Sequence, residues 1–179
     1  MNIKIYKTKI DDVLIFQPKK FIDYRGHLIE SYNKKFYEKY LANNNFIQEN
    51  ESKSNYGVLR GLHYQEEPFS QAKLVRVVKG VIQDVAVDLR RNSKTYLNHI
   101  SEILDDKNKK QLYIPRGFAH GFLVLSKEAI VSYKMDNYYD LNSNKGIKYD
   151  DPKINIKWNL DPKDIILSNK DKNWINLEF

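Results

Sequence analysis

No cysteine occurs anywhere in the chain, which removes disulfides, thiolate chemistry and Cys-ligated zinc or iron–sulfur sites. The N-terminal stretch MNIKIYKTKIDD alternates Ile with Lys and holds no apolar run of the kind a secretion signal or membrane span requires, so a cytoplasmic protein is expected. No linker rich in Pro, Gly or Ser divides the sequence and no segment repeats, which predicts one folded domain over 1–179. No long block of like charge appears either. The 30 Lys and Arg exceed the 23 Asp and Glu by 7, but they are scattered among acids, as in DDKNKK and SNKDKNW. This basic balance favours an anionic partner, while no recognition helix or aromatic-and-basic motif speaks for nucleic acid.

What the chain does have is aromatic and β-branched residues: 13 Tyr, 8 Phe and 2 Trp among short apolar runs broken by Gly, Asn, Asp and Pro. That is the composition of a sheet protein. Strands are expected over Ile3–Tyr6, Val13–Pro18, His27–Ser31, Phe46–Asn50, Gly57–Gln65, Ala72–Lys79, Val81–Arg90, Tyr96–Leu104, Lys110–Ile114, Gly121–Leu125, Ala129–Met135 and Ile154–Trp158. Their spacing suits a sandwich or small barrel. One helix is expected over Lys34–Ala42, where Phe36, Tyr37, Tyr40 and Leu41 recur at helical intervals. In VIQDVAVD one alternating set contains Asp84, which is expected to point into a polar cavity. The polar, turn-rich tail LDPKDIILSNKDKNW reads as a lid or wrapping segment.

Only four histidines are present, His27, His63, His99 and His120. His63 stands in VLRGLHYQ with Arg60, and Lys73 follows in QAKLVRV. A histidine with two cations on neighbouring strands makes an electropositive pocket with a titratable base, suited to an anionic substrate or an enolate. The residue-level alternative is a satisfied core histidine. Arg60 and His63 differ in parity, so a regular strand would aim them at opposite faces. A bulge near Gly61, or a side chain docked from a partner subunit, must bring them together. His120, between Gly117 and Gly121 in PRGFAHGF, is expected to enter a site from a loop.

Jelly-roll barrels often bind metal through a His-x-His pair with a nearby Glu. Here that position reads His63-Tyr64-Gln65 with Glu66 and Glu67 immediately after, so no metal site is expected. A G-x-S-x-G elbow and Gly-rich phosphate cradles are also missing, which leaves Arg and Lys side chains to hold any anion.

Several segments together, FIDYRGHLIESY, FIQENESKSNYGVLRGLHYQ, AKLVRVVKGVIQDVAVDLR, QLYIPRGFAHGFLVLS, VSYKMDNYY, GIKYDDP, IKW and LSNKD, resemble in order and spacing the dTDP-4-dehydrorhamnose 3,5-epimerases. The resemblance covers nearly the whole chain. It implies an all-β, cupin-type antiparallel jelly roll with a few short helices, free of metal and other cofactors. It further implies a homodimer acting on a nucleoside-diphosphate 4-keto-6-deoxy sugar, with no nucleic acid or membrane partner. By the same resemblance His63 is the base, Asp171 its orienting carboxylate, Lys73 the cation beside the enolate oxygen, and Tyr133 the acid, with Tyr139 the second choice. Arg25, Glu30, Gln48, Asn50, Arg60 and His120, together with Tyr139 and Lys170, match positions that hold substrate.

Three positions depart from the family pattern: His27 replaces an aromatic after the Arg-Gly pair, Asn144 replaces a Glu, and Tyr149 replaces a Trp. They leave the catalytic set intact and leave open a CDP- or GDP-linked sugar, a heptose, or epimerisation at a single carbon; a ketoisomerase on a related nucleotide sugar is the runner-up enzyme, and the intact His63, Lys73 and Tyr133 argue against a non-catalytic sugar-nucleotide binder.

Overall fold

The computed structural model describes residues 3–41 and 45–177. A six-stranded sheet runs β1 (Ile3–Lys7), β2 (Leu14–Pro18), β10 (Gln111–Ile114), β7 (Lys73–Lys79), β12 (Glu128–Met135) and β5 (Gln48–Asn55) in spatial order. A five-stranded sheet runs β13 (Asn144–Gly146), β6 (Leu59–Gln65), β11 (Phe118–Val124), β8 (Val81–Asp88) and β9 (His99–Asp105). Every pairing within them is antiparallel, as in the expected jelly roll. A separate ribbon, β3 (Lys20–Asp23) and β4 (Gly26–Ile29), pairs only with itself among the described residues.

Alternation explains how the layers close. Val75 and Val77 of β7, Leu112 and Ile114 of β10 and Val131 of β12 meet Ile82 and Ala86 of β8 and Phe118 and Phe122 of β11 in the core between the sheets. On β8 the opposite set, Val85 and Val87, faces outward, where Ile147, Ile154 and Ile156 cover it. Both faces of β8 are therefore buried, which accounts for apolar residues in both of its alternating sets, Ile82 and Ala86 in one and Val85 and Val87 in the other. Asp84 lies on the inner face and is fully buried, as its parity requires.

The expected strand Ile154–Trp158 does not form. Its alternation is real, since Ile154, Ile156 and Trp158 pack on the five-stranded sheet. The segment binds that sheet through side chains, however: Gln83 Nε2 donates to Lys157 O at 2.8 Å and Gln83 Oε1 accepts from Asn159 N at 2.7 Å. The expected helix shortens to α1 (Lys34–Tyr37), capped by Asn33 and followed by turns that bury Tyr37 and Leu41. The end of that expectation, at Ala42, lies outside the described residues. Among the described residues no helix is long and apolar enough to cross a membrane.

The bulge between Arg60 and His63 is present. On β11 His120 pairs with His63 and Phe122 with Arg60, so two residues of β6 oppose the single Gly121. Gly61 sits there at φ +125, and a Cβ on it would come within 2.5 Å of Gly121 Cα. Glycine at both positions lets the two backbones close over the bulge.

Candidate active site

The site lies between the two sheets. His63 enters from β6; Lys73 and Tyr133 enter from β7 and β12 of the opposing sheet, and all three line both an inner cavity of about 150 Å³ and an outer one of about 330 Å³. Arg60, His120, Ser52 and Phe122 complete the inner cavity. Asn50, Gln65, Gln71, Asn144, Tyr139 and Lys170 are among those lining the outer one.

The imidazole of His63 is held by its Nε2, 2.5 Å from Asp171 Oδ1. Asp171 belongs to α2 (Asn169–Lys172), whose N-cap Ser168 donates to Asp171 Oδ2 at 2.8 Å, while Trp174 Nε1 donates to Oδ1 at 3.3 Å. Burial pushes this carboxyl up, but the bonds from His63, Ser168 and Trp174 outweigh it and hold Asp171 below the ordinary carboxylate range. A carboxylate opposite Nε2 selects the tautomer protonated there and leaves a free lone pair on Nδ1. The tail LDPKDIILSNKDKNW thus brings Asp171 against His63, in keeping with its expected wrapping course.

Trp174 itself rests on Gly146, where a Cβ would come within 2.2 Å of its indole. Gly146→Ala is therefore expected to push the indole away and loosen Asp171, destabilising the fold by about 1–3 kcal/mol. A thermal melt together with the turnover rate checks this; wild-type values for both would show that the Trp174 seat does not matter.

Burial draws the Lys73 ammonium down to about 8, against the pull of Asp84. His120 is lowered by burial, with Asp84 opposing and Lys73 and His63 adding to the shift. Its Nε2 lies 2.7 Å from Asp84 Oδ1. His120 comes from the middle of β11, not from a loop; the strand begins at Phe118 because Phe118 and Phe122 share the inner face with it. Arg60 donates through Nε to Ser54 Oγ at 2.9 Å.

Tyr133 OH lies 3.5 Å from Asn50 Nδ2, across the β12–β5 pair. Gln48 Nε2 donates to Asn50 Oδ1 at 3.1 Å, and Gln48 Oε1 accepts from Tyr139 N at 3.1 Å, which pins the rim loop. Lys170 stands over the Trp174 ring at 5.6 Å.

Gln48 lines neither cavity but bonds two residues that do, whereas Arg25 and Glu30 do neither. Arg25 lies in the β3–β4 ribbon bound to Asp23 at 2.6 Å, Glu30 follows the ribbon and accepts from Asn33, and neither reaches the cavity within one chain. Gln65, Gln71 and Ser168 escaped the sequence reading. Gln65 shares parity with His63 on β6, a signal that was available, whereas Gln71 precedes β7 and carries none. Among the described residues no group of three or more His, Asp or Glu is placed to hold a metal ion.

Known proteins resemble this chain over nearly its whole length. A family model described as dTDP-4-dehydrorhamnose 3,5-epimerase matches residues 7–178. The dTDP-4-dehydrorhamnose 3,5-epimerase of Shigella flexneri is 49% identical over 96% of this chain and 94% of its own. The crystal structure of the enzyme of that name from Elizabethkingia anophelis superposes with a TM-score of 0.93 at 46% identity, covering 98% of this chain and 97% of that one. A Legionella pneumophila dTDP-6-deoxy-D-glucose-3,5-epimerase in complex with dTDP-4-keto-L-rhamnose superposes with a TM-score of 0.94 at 44% identity, covering 98% and 93%.

Proposed function

The chain belongs to the dTDP-4-dehydrorhamnose 3,5-epimerase family, and on that premise we propose that it inverts C3 and C5 of dTDP-4-dehydro-6-deoxyglucose, with His63 as base and Tyr133 as acid. The observation that carries this reading is the placement of these two side chains on opposing sheets around one cavity, with Lys73 on the strand beside Tyr133.

The C4 ketone acidifies the hydrogens on C3 and C5. His63 Nδ1 takes one of them from one face, the electron pair moves onto O4, and the Lys73 ammonium holds the enolate charge. The Tyr133 hydroxyl then returns a proton from the other face and inverts the centre. The resulting imidazolium and phenolate reset through solvent. Arg60 and Lys170 supply cations for the diphosphate, and whole-chain action as one domain in the cytoplasm fits a substrate too charged to cross a membrane. Incubation with the 4-keto sugar nucleotide in deuterated water, followed by proton NMR, tests the reading. Deuterium at C3 and C5 with inversion is expected; entry at one carbon would make the enzyme a single-site epimerase, and no entry would overturn the proposal.

The protein acts, on the same reading, as a homodimer in which the β3–β4 ribbon crosses to its partner. The ribbon exposes Phe21, Ile22, Tyr24 and Leu28, with Tyr24 97% exposed. Such an apolar, self-paired arm calls for a covering surface. It also carries Arg25, one of the two substrate positions that one chain leaves outside its cavity. Arg25→Ala and His63→Ala proteins are each expected to be nearly inactive, whereas co-refolded mixtures should regain about a quarter of normal turnover, because half the dimers then hold one intact site. No recovery on mixing would place Arg25 outside the partner's site.

A further inference from the structure

The mechanism leaves one charged group of the barrel interior unused. Asp84 is fully buried on β8, with Oδ1 against His120 Nε2 and Oδ2 without a hydrogen-bond partner among the described residues. A buried carboxylate with one orphaned oxygen is costly unless nearby positive charge supports it. Resting on the epimerase reading, we propose that Asp84 is a positioning residue for the reaction: it fixes His120 as the neutral Nε2–H tautomer and keeps Lys73 an ammonium for the enolate.

The groups facing Asp84 are few. Lys73 comes from β7, His120 from β11 with His63 of β6 beyond it, and Glu102 pairs with Asp84 from β9. Glu102 is engaged with Lys110 at 3.8 Å. Arg60 and Tyr133 close the cavity on its remaining sides. Among these groups Asp84 favours the charged form of Lys73 against the burial that draws it down. With Nε2–H given to Asp84, His120 presents Nδ1 as an acceptor, which suits a sugar hydroxyl better than an anionic oxygen.

Asp84→Asn keeps an acceptor for His120 and removes only the charge. The pH dependence of Lys73 acylation by an amine reagent, read by mass spectrometry on the free protein, should show a midpoint near 8 in the wild type. In Asp84→Asn the midpoint should fall by about one pH unit or more. The alkaline limb of the C3 and C5 exchange rate should move down by the same amount, with KM little changed and activity recovered at lower pH, which a merely structural role would not produce. Glu102→Gln should leave the Lys73 midpoint in place.

An unmoved midpoint in Asp84→Asn overturns the proposal. So does nitrogen-15 NMR of the wild type placing the His120 proton on Nδ1, a test that stands even if the variant fails to fold. A moved midpoint in a protein that shows no exchange with the 4-keto sugar would instead overturn the epimerase reading and leave the charge coupling intact.

Discussion

His63→Ala is expected to lower deuterium exchange at both C3 and C5 by about a hundredfold to ten-thousandfold, the usual cost of losing a positioned general base. No other group in the cavity is free to replace it. Lys73, with its ionisation near 8, is mostly an ammonium at neutral pH. His120 is tied to Asp84, and Tyr133 approaches from the opposite sheet. The protein should remain folded, because Asp171 keeps Ser168 and Trp174 as donors after the imidazole is gone. A melting curve beside the exchange rate separates chemistry from stability. Ordinary turnover by a folded His63→Ala protein would exclude His63 as the base.

Tyr133→Phe removes one hydroxyl and should act on one half of the reaction only. That hydroxyl has Asn50 as its polar neighbour at 3.5 Å, while the ring packs against the core, so folding and substrate binding should change little. Net inversion should slow by about a hundredfold or more, the scale of a lost general acid. Deprotonation by His63 does not involve Tyr133, and the enolate still forms against Lys73. Product formation and substrate affinity, measured together, check this: inversion lost at unchanged KM is expected, and full turnover would shift the acid's role to Tyr139 or a water.

How much of this was written in the chain depends on where apolar alternation coincided with the fold. The barrel strands that feed the core were legible because apolar residues recur at every second position, as Val75 and Val77 do in β7, Val85 and Val87 in β8, and Ala129, Val131, Tyr133 and Met135 in β12. β5 was read only to Asn50 because QENESKSN contains no apolar residue. Its less exposed residues, Gln48, Asn50, Ser52 and Ser54, are all polar, and Asn50 and Ser52 line the cavities, so the part of the sheet that builds the site lacks the usual pattern. β3 and β13 were invisible for different reasons: β3 has no buried side, and β13 is three residues held by its pairing to β6. For Ile154–Trp158 the alternation was real but carried no ladder, since period two reports a buried face and not a backbone partner.

The site was legible in two steps. Residue type on neighbouring strands grouped His63, Arg60 and Lys73, parity turned Asp84 inward, and the parity conflict between Arg60 and His63 required the bulge that β6 shows. Asp171 lies 108 positions from His63, and no local pattern could link them; that link came only from the resemblance of whole segments. The pairing of Asp84 with His120 was not readable either, because it depends on the β8–β11 register.

The central claim is that protons leave from one face and return from the other. Substrate recovered from Tyr133→Phe after incubation in deuterated water tests it most directly, by proton NMR of C3 and C5. The account predicts deuterium at both carbons in their original configuration, because His63 can return a solvent-exchanged proton to the face it came from. Recovered substrate free of deuterium, with inversion equally slow, would contradict it, since exchange and inversion would then depend on Tyr133 alike.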